Sequence, residues 1–385
     1  MTLPTGESPI SFSQIRTEFG DGTNTATSPV RLGQYRTTDP SFTNESPGDF
    51  SNLPLDTGIP ISGAINVDAF HGKKLNVIID YYSGSTENRP NDARTKYQAA
   101  SASGNRVVVG GYKDRVINDS SGSKVRIHVN KEIGSATGNV NNCALRTGSF
   151  ETGTVVTVEV GSSGGIYGAG GNGGGHGEDA EDPHGENGGA GTSALGIQHE
   201  GTTVINNGSI VAGGGGGGGG GARRVEREET SYGPVISASG GGGGGGQGLP
   251  PGEGVDGGAD GTTTAGGEGG TGGMNTTNGD THVFGGGGGG GGSNGEGGEA
   301  GSVTDNTGTL RVGNTGNNGT TSKGGNGAAG SYQSNKGIEG NYDTTGNGGI
   351  GGDSGAAIRK TDGTITVNIT NNATITGATD ATGVS

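Results

Sequence analysis

Apolar positions are sparse along this chain, and where they recur they do so in three distinct ways. Near the N-terminus three short segments share one pattern: ISFSQIR from Ile10, VRLGQYR from Val30 and INVDAFH from Ile65. Each opens on an aliphatic residue, places another apolar residue third and Ile, Tyr or Phe sixth. That spacing predicts an extended lead-in followed by one helical turn, with Ser11, Ser13 or Asp68 as caps. Ile10, Phe12, Ile15, Leu32, Tyr35 and Phe70 are therefore candidate anchors of an N-terminal arm over residues 1–72, suited to docking on a partner. The Pro-, Ser-, Thr- and Asn-rich segments between them predict surface-following connections.

Residues 73–160 alternate in the strand manner through KKLNVIIDYY, NRVVVGGY, SKVRIHVN and GTVVTVEV, separated by Gly, Ser, Asn and Asp turns. This predicts a small β-rich domain, a sandwich or single sheet. His128 lies on an alternating strand, and packing or surface is its simplest role.

From residue 161 to 385 the apolar pattern gives way to glycine. Of 95 glycines, 17 fall in residues 1–160 and 78 in the remainder, against a usual share of about 7%. Three uninterrupted runs have similar lengths, Gly213 to Gly221, Gly240 to Gly246 and Gly285 to Gly292. A flexible linker has no use for matched runs, whereas rods lying side by side in one layer need them. The physical candidate is polyglycine II, with three residues per turn and about 3.1 Å rise, in which every amide points outward to a neighbouring rod. Glycine loses the most backbone freedom on ordering, so such rods must pair together and cooperatively. Shorter stretches such as GAGGNGGGHG, GGEGGTGG and SKGGNGAAG predict outer rods.

Two segments flanking the runs echo each other. GTTVINNGSIVAG from Gly201 and GTITVNITNNATITGA from Gly363 share Gly-Thr, apolar alternation, Asn-Asn, and a return to apolar and small residues. Asn206-Asn207-Gly208 and Asn371-Asn372-Ala373 predict turns between short strands, with Ile205, Ile210, Ile369 and Ile375 on a common apolar seam. The expected fold class is thus mainly β and irregular: an N-terminal arm with short helical turns, a small β domain, then a polyglycine II sandwich flanked by short strands.

Composition narrows the function. Hydrophobic residues make up 26% and aromatics 4%, with no Trp, so one conventional core along the whole length is not expected. The formal net charge of −15 disfavours nucleic acid as a partner. The N-terminus lacks the basic and apolar regions of a signal peptide, and no long apolar run predicts a membrane span. The one cysteine, Cys143, has no internal disulfide partner and reads as a small strand residue.

The order ALRTGSFETGTVVTVEVGSSGGIYGAGGNGG, then GGTSALGIQHEGTTVINNGSIVAGGGGGGGGG, resembles the glycine-rich domains of bacteriophage tail fibre and tail-tip receptor-binding proteins over about residues 140–385. It is also similar to the tip adhesins of T-even-type long tail fibres. ISFSQIRTEFG, VRLGQYR and SGAINVDAFHGKK are similar to segments of tail structural proteins in marine T-even-like phages and cyanophages. The resemblance implies a polyglycine II sandwich and intervening segments that bind a host receptor, an outer-membrane protein or polysaccharide on a bacterial or cyanobacterial surface. It also implies a place in the virion, on a tail fibre or baseplate periphery, and attachment to other tail proteins through the N-terminal region, with a homotrimer among the expected assemblies. The alternative is a purely structural virion protein, a fibre connector, baseplate or cement subunit.

If the rods are scaffold, recognition belongs to the segments that interrupt them. The first, ARRVEREETSYGPVISAS, concentrates Arg223, Arg224, Arg227 and Tyr232, residue types that give contact area and hydrogen bonds together. The second offers Met274, His282 and Phe284, the third Arg311, and Tyr332 and Tyr342 follow. His176, Glu178, Asp179, Glu181, Asp182 and His184 lie close in sequence, yet match no recognised ligand spacing, so neither a metal nor a cofactor is expected. A calcium β-roll repeat finds one near miss, at Gly348 to Gly355. No nucleophile–base arrangement or tuned acid pair is evident, so no enzyme activity is expected. Tail-spike depolymerases stand on long parallel β-helices with aromatic-rich grooves, which the aromatic content argues against.

Overall fold

The computed structural model describes residues 3–6, 8–19, 32, 59–60, 63–73, 77–81, 87–88, 91–92, 106–109, 112–113, 122–178, 181–226, 235–277, 281–293, 297–299, 302–304, 310–329, 331–334 and 342–384. Strands dominate it. Alternating sequence between 124 and 160 does form strands, but they build neither a sandwich nor one flat sheet. They wind into a parallel coil with three faces.

The long face stacks Val77–Tyr81, Lys124–Val129, Val155–Val160, Thr202–Asn206 and Val367–Asn371, all parallel. Arg106–Val109 and Tyr112–Lys113 extend its first edge in antiparallel fashion. The second face stacks Glu87–Asn88, Glu132–Gly134, Gly165–Tyr167, Ser209–Val211 and Thr374–Thr376. The third stacks Asn91–Asp92, Cys143–Arg146, Ser193–Ile197, Ile358–Lys360 and Ala381–Thr382. Each turn of the chain contributes one strand to each face. The coil is short and poor in aromatic residues, unlike a long grooved β-helix.

Period-two alternation explains the interior. Ile127, Val158 and Val204 stack in register on the long face, Ile133, Ile166 and Ile210 on the second, and Leu145, Leu195 and Ile358 on the third. All are fully buried. The internal echo is therefore a coil repeat: Asn206 pairs with Asn371 and Ile210 with Ile375. The Asn-Asn turns are corners of the coil, not hairpins. Asn206 Nδ2 donates to Asn371 Oδ1 at 2.8 Å and Asn372 Nδ2 to Asn207 Oδ1 at 2.9 Å. The expected seam holds only in part. Ile210 and Ile375 face the interior, but Ile205 lies one residue out of phase with buried Val204 and is half-buried on the outer side. Ile369 continues the Val204 column at the exposed last coil.

The N-terminal segments fold back on this coil. Phe12–Phe19 form an α-helix longer than the single turn expected, capped by Ser11: the Gln14 amide donates to Ser11 Oγ at 3.2 Å and the Ser11 amide to Gln14 Oε1 at 2.7 Å, a reciprocal capping box. Val67–Phe70 form a short 3-10 turn capped by Asn66, whose Oδ1 accepts from the Ala69 amide, rather than by Asp68. Ile15 and Phe70 are fully buried and share one apolar cluster with the coil interior, against which Ile10 and Leu32 also pack. These anchors are thus occupied by the chain's own core, which corrects their reading as contacts for another protein. Phe12 remains 55% exposed. Tyr35 lies outside the described residues.

The glycine slab is inserted at one corner of the coil, between the second and third faces. Residues 168–192 leave after Gly165–Tyr167 and return at Ser193–Ile197; residues 212–357 leave after Ser209–Val211 and return at Ile358–Lys360. Between those points the chain runs out and back as rods. Rod 213–221 shows why its sequence is pure glycine. The amides of Gly213, Gly216 and Gly219 donate to Thr192, Gly189 and Glu186; those of Gly214, Gly217 and Gly220 donate to Gln247, Gly244 and Gly241; those of Gly218 and Gly221 donate to Gly325 and Ala328. Its carbonyls accept in the same threefold order from rods 171–177, 286–292 and 349–355. Every residue thus faces backbone, and a Cβ on Gly217 would stand 2.0 Å from the Gly289 oxygen. Rods 240–246 and 285–292 are enclosed in the same way, and all three runs are buried throughout.

Outer rods carry side chains where the lattice ends. Asn347, Ile350 and Asp353 are exposed at every third position while Gly349 and Gly352 are buried, the period of the rod itself. Polar side chains there accept amides that lack a further rod: Asn187 Oδ1 takes Ile350 N at 2.8 Å, Asn326 Oδ1 takes Gly351 N at 3.1 Å and Asn318 Oδ1 takes Gly297 N at 2.8 Å.

Candidate recognition surface at the rod ends

Matched rods bring their connections to common ends. At the end nearer the coil the links are tight, as at residues 248–251 and 321–323. At the far end they open into antiparallel strands. Arg223–Glu226 lies between Val235–Ala238 and Tyr342–Thr345 in one sheet. Thr281–Phe284 lies between Met274–Thr277 and Ser331–Ser334 in a second. Ser302–Thr304 pairs with Leu310–Val312. Val235–Ala238 sits against both Met274–Thr277 and Thr281–Phe284, so the first two sheets adjoin. Residues 181–183, which lead into rod 184–192, join them at this end: the amide of Ala222, at the base of the first sheet, donates to Pro183 O at 2.8 Å.

This arrangement gathers residues that are far apart in sequence. Arg223 pairs across the sheet with Ala238 and Thr345, Arg224 with Ser237 and Thr344, and Tyr342 with Glu226. His282 pairs with Thr276 and Gln333, and Tyr332 with Val283. Arg223 and Arg224 are half-buried and Met274 is exposed. Arg311 lies on the third hairpin, opposite Val303. Phe284 is the exception. Fully buried with Val283, on a strand that adjoins Val235–Ala238, it lies at the base of the two sheets and is removed from any surface that touches a receptor. Arg227 and Tyr232 lie outside the described residues.

The acidic, histidine-bearing loop is drawn into the lattice. His176 Nδ1 lies 2.9 Å from Asp256 Oδ2, which also accepts the His176 amide at 3.3 Å, and His184 Nδ1 accepts the Asn347 amide at 3.0 Å. Both imidazoles are thereby aimed at other rods and not at a shared centre. Asp179 is outside the described residues. Among the described residues no group of three or more His, Cys, Asp or Glu is placed to hold a metal ion.

Within the coil, burial pushes the Cys143 thiol up to about 12, against a smaller lowering influence from Arg359 and Arg146. Arg359, lowered by its own burial, donates from Nε to Ser193 Oγ at 2.9 Å and from Nη1 to the Thr382 carbonyl. These are structural contacts that tie the third face together, remote in the fold from the rod ends.

Residues 94–281 match the family model described as phage tail fibre adhesin Gp38. No curated protein matches the chain. Among solved structures, the crystal structure of the gp37-gp38 adhesin tip complex of the bacteriophage S16 long tail fiber is loosely similar, at 16% identity and a TM-score of 0.35, covering 84% of this chain and 90% of that one. The family match covers just under half of the chain, over the middle of the coil, the first rods and two strands of the first sheet, and in that part the chain is similar to phage tail fibre adhesins.

Proposed function

We propose that this chain is a phage tail fibre adhesin, that it grips its host receptor with the sheets and loops at the far end of the rods, and that the slab serves to hold them in fixed relation. The observation that carries this reading is the convergence of Arg223, Arg224, Met274, His282, Tyr332 and Tyr342 on two adjoining sheets at one end of a backbone lattice. Arginine and aromatic side chains supply contact area with polar reach, and a rigid base lowers the ordering cost of binding. An outer-membrane protein or a surface polysaccharide fits such a surface. The action is adhesion, without bond-making or bond-breaking, and it uses no cofactor. The chain is held on the virion by other tail proteins at the fibre tip.

The first hairpin provides the test. Glu226 and Val235 are paired across it, so residues 227–234 can be replaced by Asn-Gly, which closes a two-residue hairpin. The shortened protein is expected to melt as the full chain does and to compete with intact phage for host cells at least tenfold less well. Undiminished competition would remove this loop from the receptor surface.

A further inference from the structure

An asparagine followed by glycine is chemically the least durable peptide pair, because the glycine nitrogen, with no Cβ beside it, closes on the asparagine Cγ. The sequence contains eight such pairs. Asn172, Asn187, Asn207, Asn318, Asn326 and Asn347, with the glycines after them, are among the described residues, while Asn278 and Asn294 lie outside them. Closure requires a side chain that turns back on its own backbone and a glycine amide that is at liberty to react. A hydrogen bond to either group opposes that arrangement.

The fold ties most of these pairs twice. Asn172 Oδ1 accepts the Glu253 amide at 3.1 Å while the Gly173 amide donates to the Glu253 carbonyl at 2.8 Å. Asn187 and Gly188 clasp Ile350 in the same two-sided way, at 2.8 and 2.9 Å. Asn326 accepts from Gly351 and Gly327 donates to Gly349. In the coil, Asn207 Oδ1 accepts from Asn372 and the Gly208 amide donates to Asn206 Oδ1. Asn318 is tied once, its Oδ1 accepting the Gly297 amide. Asn347 is tied at neither point. Its own amide donates to His184 Nδ1 and its carbonyl accepts from Gly185, but its exposed side chain and the Gly348 amide meet no hydrogen-bond partner among the described residues.

We propose that Asn347 is a site of spontaneous deamidation, at which water alone modifies this chain. The Gly348 nitrogen gives its proton to solvent hydroxide and bonds to Asn347 Cγ; the Cγ–Nδ2 bond breaks and Nδ2, taking a proton from water, leaves as ammonia. Water then opens the five-membered imide at either carbonyl, leaving aspartate or isoaspartate. Both products add a negative charge, and isoaspartate also lengthens the main chain by one carbon. These changes fall two residues beyond Tyr342–Thr345, the strand paired with Arg223–Glu226. The far end of the rods is thus altered with age and its grip declines, a consequence that rests on the reading of that end as the receptor surface.

The full chain is aged at pH 8 and 37 °C in 18O-labelled water, native and in guanidinium chloride, and conversion at each Asn-Gly pair is read by peptide mapping. Trypsin cuts after Lys323, Lys336 and Arg359, so Asn326 and Asn347 fall in separate peptides. In the native chain Asn347 is expected to convert at least tenfold faster than Asn172, Asn187, Asn207 and Asn326, with Asn318 between them, and denaturant is expected to bring all six to similar rates. Native conversion at any doubly tied pair as fast as at Asn347, or a spread that persists in denaturant, would overturn the proposal. Asn347→Ser, at an exposed position, supplies a second arm: it should keep its competition with intact phage for host cells through ageing while the wild type loses it. Equal loss in both, or none in a wild type converted at Asn347, would overturn the decline in grip. Fresh wild type that does not compete at all would instead strike the receptor reading and leave the peptide map to judge the site.

Discussion

A single methyl group is the sharpest probe of the lattice. Gly217→Ala places carbon 2.0 Å from the Gly289 oxygen, and neither rod can yield without breaking bonds on its other faces. A cost of about 3 kcal/mol or more is expected, read as a lowered melting temperature. Gly363→Ala adds a methyl group with no atom within 4 Å and should leave stability unchanged or raise it by up to about 1 kcal/mol. Cys143 gives a second test at this scale. With the folded thiol raised from 9.0 to about 12, the unfolded chain ionises first. The stabilisation is full below pH 9 and is lost as pH rises toward 12. The folded protein should resist a thiol reagent at pH 8 and react stoichiometrically once unfolded. Sequence told much at this scale: the matched runs announced side-chain-free rods, and Ser11 announced a cap. It did not tell Phe284 from a surface aromatic, because a hairpin at a rod end has its own interior, nor Asn66 from Asp68 as a cap.

Among elements, the rod is distinguished from strand and helix by where its amides go. Each strand bonds in one plane, whereas rod 213–221 bonds around its whole circumference. That leaves polar side chains only one structural task, at the rim. Asn187 accepts the Ile350 amide, so Asn187→Ala exposes that amide to water and should cost no more than about 1 kcal/mol. Hydrogen exchange should register it as faster exchange at Ile350 with Gly217 unaffected. The every-third-residue spacing of Asn347, Ile350 and Asp353 was present in the sequence as a period of three, unlike the periods that mark strand or helix. The parallel coil was harder to see. Alternation in SKVRIHVN and GTVVTVEV specifies strands but not the faces they wind around, and only the Asn-Asn echo marks a repeated corner.

For the whole molecule, the insertion at a coil corner couples two kinds of core. Gly168 to Thr192 and Ala212 to Ala357 begin and end on neighbouring coil strands, so the slab and the coil should unfold together in one calorimetric transition. The slab buries peptide groups in place of hydrocarbon. Polar surface lowers the heat capacity change on unfolding where apolar surface raises it. The protein should therefore show a heat capacity increment below the usual ~12 to 15 cal/mol/K per residue, with a correspondingly flatter stability curve. A value within that ordinary range would mean that the slab unfolds without exposing its amides.

The outer rods also make a ruler. Asn347 and Asp353 stand six residues apart on one rod, about 19 Å at the pitch of such a helix, with the lattice beneath them. Labels coupled at Asn347→Cys and Asp353→Cys, in the presence of a native thiol too buried to compete, would report a narrow separation that stays fixed when the fibre tip meets a cell. On the proposed function, a virus that tests a surface by touch carries in this slab a gauge that thermal motion does not stretch.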